Sequence, residues 1–353
     1  MKKVCFVMPA MLGGGAERVV TVLSEYLIEH GYTVKICLMN QNIVEYKLPT
    51  KVVINASFIR GKKGIPKALW RLHDLRKMIK EDEETTYISF FSMFNLYVLT
   101  AGLGLKRKII VSERLDPRKS IPNKKWLFVL RSFLYKRAMK IVFQTPDAME
   151  CFDEKVKSKG IVISNPLKDG LPERFEGVRK KEIVTFARLE PQKNYPLLID
   201  AFKLFADKNP QFILSIYGKG SCEELLKKKV HQEGLEDKVI FRGFVRDIHE
   251  RIRDCAMFVL PSDYEGLSNS MLEAMAIGLP CICTDCPPGG ARMFIKNGEN
   301  GFLTPVGDRE SMFEIMDMVA KDKNLADKIS KEAVKVKELL SKDNICNLWT
   351  EII

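Results

Sequence analysis

No cysteine framework staples this chain. Its nine cysteines are an odd number, scattered mostly through apolar runs, as suits free thiols in a reducing cytosol. Only Cys281, Cys283 and Cys286 cluster. No second Cys/His pair accompanies them, so they read as core, with a metal site the remote alternative. No secretory leader is expected either. Lys2-Lys3 runs straight into Val4 to Met8, five apolar residues before Pro9, which is a strand and too short for a signal core. One run, Tyr87 to Leu105, has 19 residues without a charge and on length alone could span a membrane. Ser89, Ser92, Asn95 and Thr100 interrupt it, and Gly102 and Gly104 punctuate its end. A strand (Tyr87 to Phe91) followed by a helix (Asn95 to Gly102) is expected instead.

What is present describes a globular protein. A length of 353 residues suits two domains, and 46% hydrophobic with 29% charged residues excludes a disordered chain. The net charge of +12 is lopsided. Residues 1–175 carry 31 Lys and Arg against 17 Asp and Glu, a net +14, and the remainder carries 26 against 28, a net −2. The first half is therefore expected to face something anionic, either a nucleic acid or a membrane surface.

Strands and helices alternate along the chain, the pattern of α/β proteins with parallel sheets. Val4 to Met8 is a strand, Met11 to Arg18 a glycine-rich turn, and Val19 to His30 a helix. That order makes a phosphate cradle. It lacks the Lys-Ser/Thr of a Walker loop, and Arg18 stands where a dinucleotide fingerprint wants its third glycine. The strand Ile109 to Ser112 ends in Ser-Glu113-Arg114-Leu-Asp116-Pro. Beyond it, Lys124, Lys125, Arg131, Lys136, Arg137 and Lys140 are interleaved with Trp126, Phe128, Phe133 and Tyr135. This is either a core-packed helix with a solvated basic face or a helix resting on an anionic bilayer. Lys168 to Lys181 reads as a linker. Past it, the strand Ile183 to Ala187 leads to Arg188 and Lys193, two cations at a strand's carboxyl end that could clamp a diphosphate.

The stretch Phe258 to Pro280 reads as a strand, a polar loop and a helix from about Ser270 to Ile277. Seven residues separate Glu265 from Glu273. Gly266 admits a close approach, and the N–H groups of Leu267, Ser268 and Asn269 at a helix start favour an anion. The two carboxylates can accept from the hydroxyls of sugars and ribose. The plainer alternative is a capping box, Ser270 to Glu273, with Glu265 a solvated loop residue.

The Glu265-x7-Glu273 pattern resembles the hallmark of retaining glycosyltransferases of family 4, and the resemblance extends over nearly the whole chain. It rests also on Gly13 to Arg18, on Arg188 with Lys193, and on Asn297 to Pro305. Ala187 stands where that family has glycine, and Glu113 with Arg114 where it often has histidine. The resemblance implies the GT-B fold, two Rossmann-like doubly wound domains facing across a cleft. Residues 1–170 would bind the acceptor, 171–335 the nucleotide sugar, and 336–353 would form a tail helix packing back on the first domain. It implies that Arg188, Lys193 and Glu265 carry catalysis. Gly14, Gly15, Phe244, Val245, Arg246, Gly266, Leu267, Ser268, Asn269 and Glu273 would hold the donor. No Asp-x-Asp motif is present, so neither metal nor cofactor is expected. The activity implied is transfer of a hexosyl or N-acetylhexosaminyl group from a UDP-sugar to a glycan or polyprenyl-diphosphate-linked acceptor in cell-surface polysaccharide synthesis. The setting implied is the cytoplasmic face of the membrane, with no nucleic acid involved. The rival readings are a nucleotide-sugar isomerase using Glu113 and Asp116, and a non-catalytic membrane or nucleic-acid binder.

Overall fold

The structure, a computed structural model, describes residues 2–59, 66–120 and 125–353. The chain divides into two compact units, Met1–Pro166 with Lys342–Ile353, and Leu167–Ser341. Among the described residues the first unit holds Lys3–Met8 (β1), Thr33–Leu38 (β2), Val53–Asn55 (β3), Thr85–Phe90 (β4), Ile109–Ser112 (β5), Lys140–Phe143 (β6) and Gly160–Val162 (β7). They form one parallel sheet in the order β3-β2-β1-β4-β5-β6-β7. The second unit holds Lys180–Phe186 (β8), Ile213–Tyr217 (β9), Val239–Gly243 (β10), Cys255–Leu260 (β11), Cys281–Thr284 (β12) and Phe302–Thr304 (β13). Their order is β10-β9-β8-β11-β12-β13, again parallel.

Helices cover both faces of such sheets, so the strands can be apolar throughout. Val4 to Met8 and all of Thr85–Phe90 are buried. Each sheet reverses its winding once, between β1 and β4 and between β8 and β11. Loops leaving the carboxyl ends of those strand pairs diverge there, which opens the crevice where doubly wound folds take ligands.

The uncharged run after Glu84 is the strand β4 and the helix Ser92–Ala101, and no described helix is long and apolar enough to cross a membrane. The tail divides. The helix Val336–Leu339 stays in the second unit against Asn269–Ala276, whereas the helix Lys342–Ile352 belongs to the first. There Trp349 is fully buried with its ring 5.8 Å from that of Phe90. Tyr26 donates to Asn347 at 2.6 Å, and Lys342 pairs with Glu25 at 3.0 Å.

One cation of the basic, aromatic segment is not at the surface. In the helix Lys125–Tyr135, Arg131 is fully buried. It pairs with Glu113 at 3.6 Å and donates to Ser120 and to the Pro117 carbonyl, each at 2.8 Å. Its guanidinium lies over the rings of Phe128 and Phe152. The cause is Glu113, a carboxylate buried at the end of β5 that requires a cation. Lys136 is likewise engaged, with Asp153 at 2.7 Å. Lys124 and the side chain of Lys125 lie outside the described residues. Among the described side chains of the helix the exposed face is apolar. Trp126, Val129, Leu130 and Phe133 recur at helical spacing and are 60, 67, 37 and 51% exposed.

Glu113 also accepts from Tyr135 and, at 2.7 Å, from Ser92. Glu113→Ala leaves Arg131 buried without its counter-charge and is expected to cost roughly 3–5 kcal/mol in a denaturant titration. A cost below about 1 kcal/mol would mean that the ring faces and carbonyls alone support the cation.

Candidate functional site

In the second unit, β8 runs out into the loop 187–194 and its neighbour β11 into the loop 261–268. Side chains zip these loops together. The Asp263 N–H donates to the Gln192 carbonyl at 3.0 Å, and Asn194 donates to the Asp263 carboxylate at 2.6 Å. Gln192 donates to the Tyr264 carbonyl at 2.9 Å and to Glu265 at 3.3 Å. Asn194 sits in the left-handed region (φ 45°), which asparagine tolerates, and its side-chain oxygen caps the helix Tyr195–Lys208.

The zipper brings Lys193 and Glu265 into an ion pair, with side chains only 8 and 16% exposed. Arg188, on the same loop, is exposed. The loop after β9 crosses this backbone closely. A Cβ on Gly218 would stand 2.0 Å from the Ala187 carbonyl oxygen, and one on Gly220 2.3 Å from that of Leu189. The glycines that this crossing needs are therefore at 218 and 220, and position 187 can be alanine.

The helix Asn269–Ala276 begins one residue before the expected start, because Ser268 is its N-cap and accepts from the Met271 N–H at 3.4 Å. A capping box on Ser268 would need its glutamate at 271, so Glu273 has no part in one. Glu273 instead faces His249, with Nε2 and Oε2 2.8 Å apart and both residues buried. Gly266, Leu267 and Ser268 are buried and Asn269 half-buried. The close approach at Gly266 is made by the chain itself: a Cβ on Gly290 would fall 1.8 Å from the Gly266 carbonyl oxygen. The Glu265 N–H donates to the Pro287 carbonyl at 2.9 Å in the same contact.

Phe244, Val245 and Arg246 form the turn after β10, with Phe244 and Arg246 exposed. The turn leads directly into the helix Ile248–Ile252, which carries His249. Cys281, Cys283 and Cys286 are buried thiols. Desolvation pushes all three up, Cys286 to about 11, so they stay protonated at neutral pH and serve as core.

In the first unit Gly14 caps the helix Gly15–Glu29. Its carbonyl accepts from the Tyr46 hydroxyl at 2.9 Å, and the neighbouring Gly13 N–H donates to Glu45 at 2.9 Å. A Cβ on Gly14 would meet the Glu17 carboxylate at 2.4 Å, so the turn is packed by acidic side chains of its own unit.

Two cations and a carboxylate thus stand on neighbouring loops at the switch point of a doubly wound sheet, with a second carboxylate on the helix that follows. Residues 172–336, nearly the whole second unit, match the family described as glycosyl transferases group 1. A protein of Haemophilus influenzae described as an uncharacterised glycosyltransferase is 27% identical over 361 residues, covering all of both chains. By the family match the second unit is a glycosyl transferases group 1 domain. Two solved structures share the chain's fold at low identity. HepE from Anabaena, solved with UDP and glucose, has a TM-score of 0.82 over 99% of each chain at 19% identity. TarM from S. aureus has a TM-score of 0.80 over 100% of this chain and 99% of its own, at 15% identity. The chain accordingly has the GT-B fold.

Reading the sequence missed Gln192, Asn194, Asp263 and His249. Nothing in periodicity or spacing marks them, because each acts on a partner that is 24 to 73 residues away.

Proposed function

We propose that this protein is a glycosyltransferase that moves a sugar from a UDP-sugar to a hydroxyl of a glycan or polyprenyl-diphosphate-linked acceptor, with retention and without a metal. The observation that carries the reading is the Lys193–Glu265 pair at the switch point, on the loop that also carries Arg188, with Glu273 on the adjoining helix. Arg188 and Lys193 neutralise the diphosphate as it leaves, the work a metal does elsewhere. Glu265 accepts from sugar hydroxyls, Glu273 from the ribose, and Phe244 to Arg246 flank the base. The helix start at Gly266 to Asn269 serves the donor's anionic part, and Gly14 and Gly15 are the first unit's contribution to substrate binding. With no residue assigned as base, the leaving phosphate takes the acceptor's proton during front-face attack, and orientation carries much of the rate.

Relatives support this choice of substrates. A Campylobacter jejuni enzyme 25% identical over all of this chain and 98% of its own is described as an N-acetylgalactosaminyltransferase acting on a diphospho-undecaprenol-linked saccharide. The isomerase reading loses its acid/base candidates. Glu113 is held by Tyr135, Ser92 and Arg131, and the buried Asp116 by Arg118 through both oxygens at 2.9 Å. The decisive experiment incubates the protein with a panel of UDP-sugars and a lipid-linked acceptor, with and without EDTA. Expected are UDP release and an α-linked product by NMR, undiminished by EDTA. An epimerised or isomerised sugar without transfer would overturn the reading.

The docking surface is the apolar face of Lys125–Tyr135, on the unit with 30 Lys and Arg against 17 Asp and Glu. Its rings and aliphatic chains enter the interface while the surrounding charge favours anionic lipid. Changing Trp126 and Phe133 together to Ser is expected to reduce sedimentation with phosphatidylglycerol vesicles at least tenfold, with donor hydrolysis intact. Equal sedimentation of variant and parent would remove this face.

A further inference from the structure

His249 belongs to no motif, yet it sits where three parts of the second unit meet. The turn 244–246 after β10 runs directly into its short helix. Its Nε2 lies 2.8 Å from Glu273 Oε2, on the helix that follows β11. Its ring meets Phe186, at the carboxyl end of β8, edge to face at 5.8 Å and 89°. Phe186 is itself packed on Phe258 with ring centroids 5.0 Å apart. The imidazole is thus held by an aromatic wall and directed at one carboxylate oxygen. His249 and Glu273 are both more than nine-tenths buried.

A carboxylate so withdrawn from water needs a donor, and a single well-directed one also fixes the plane of the group. Recognition of a vicinal diol depends on that plane, because two hydroxyls on adjacent carbons approach from set directions. Lys and Arg could neutralise Glu273 as well. An imidazole is short and rigid, so its Nε2 holds the direction of approach more firmly than the end of either long chain.

We propose that His249 is a positioning residue for nucleotide recognition: it orients Glu273 toward the ribose hydroxyls and couples that carboxylate to the base-side turn 244–246. This rests on the reading above, in which Glu273 takes the ribose. The consequence is a specificity for ribose over 2′-deoxyribose that depends on a residue touching neither. Catalytic turnover, which depends on Arg188, Lys193 and Glu265, is left nearly unchanged.

The test is calorimetric titration of the full chain with UDP and with 2′-deoxy-UDP. The wild type should bind UDP more tightly. His249→Leu, which keeps bulk and removes the donor, should weaken UDP about tenfold while changing 2′-deoxy-UDP much less, so that the preference collapses. His249→Gln, whose amide can reach the same oxygen, should restore most of the preference. In donor kinetics His249→Leu should raise KM and leave kcat within about twofold. Thermal unfolding of each variant guards against simple loss of structure, which would lower both affinities alike and would not be repaired by Gln. If His249→Leu keeps the full ribose preference, or if Gln fails to restore a lost one, the proposal is overturned and the pair is structural. If the wild type itself does not distinguish UDP from 2′-deoxy-UDP, the assignment of Glu273 to the ribose falls, and this proposal with it.

Discussion

Lys193→Ala is expected to lower turnover by roughly two to three orders of magnitude, the loss that follows removal of one charge-stabilising donor in an enclosed site. Arg188→Ala should act in the same direction. The two differ in what else they disturb. Lys193 is largely buried against Glu265, so its removal strands a carboxylate and should also lower the unfolding temperature. Arg188 is exposed, and its loss should leave stability unchanged. Affinity for uridine, which lacks the diphosphate, should hardly move in either variant. Single-turnover assays with saturating donor, alongside thermal unfolding, measure both effects. Near-parental turnover in both variants would remove the diphosphate clamp from the mechanism.

Glu265→Gln and Glu273→Gln are expected to separate chemistry from binding. Glu265 shares Lys193 and lies on the loop zipped to Gln192, so the substitution keeps the shape but weakens both the ion pair and the acceptance of sugar hydroxyls. Turnover should fall by about a hundredfold while UDP affinity stays within a few-fold. Glu273→Gln should instead weaken UDP itself by roughly tenfold, because the ribose belongs to donor and product alike. Turnover of bound donor should change little. The measurements are kcat and KM for the donor and titration of UDP. Full activity at unchanged nucleotide affinity in both variants would put the site elsewhere on the protein, since Ser268 already serves as the helix cap and Glu273 is not needed for one.

Most of the architecture was legible along the chain. Val4 to Met8, Ile109 to Ser112 and the run before Pro261 announce buried parallel strands, because strands covered on both faces must be apolar at every position. The split of Tyr87 to Leu105 into strand and helix followed from its serines, Asn95 and glycines, each a local preference. Arg188, Lys193 and Glu265 stood out as charges beyond the ends of such strands, and Glu273 by its spacing from Glu265. Those signals need only neighbours in sequence, and neighbours are all that a pattern contains.

The partners of those charges could not be read that way. Arg131 looked like one cation of a basic surface, and it is buried because Glu113, 18 positions earlier, has no water to solvate it. Among the described side chains of that helix, Trp126, Val129, Leu130 and Phe133 make the exposed face apolar. His249 stood among four unassigned histidines until the adjacency of β8 and β11 brought the helix after β10 against Glu273. Lys193 and Glu265 meet because loops from neighbouring strands are hydrogen-bonded to each other, across 72 residues of chain. Local preference determines which segments are strands and helices. Which charges neutralise which depends on desolvation, and desolvation exists only once the units have folded.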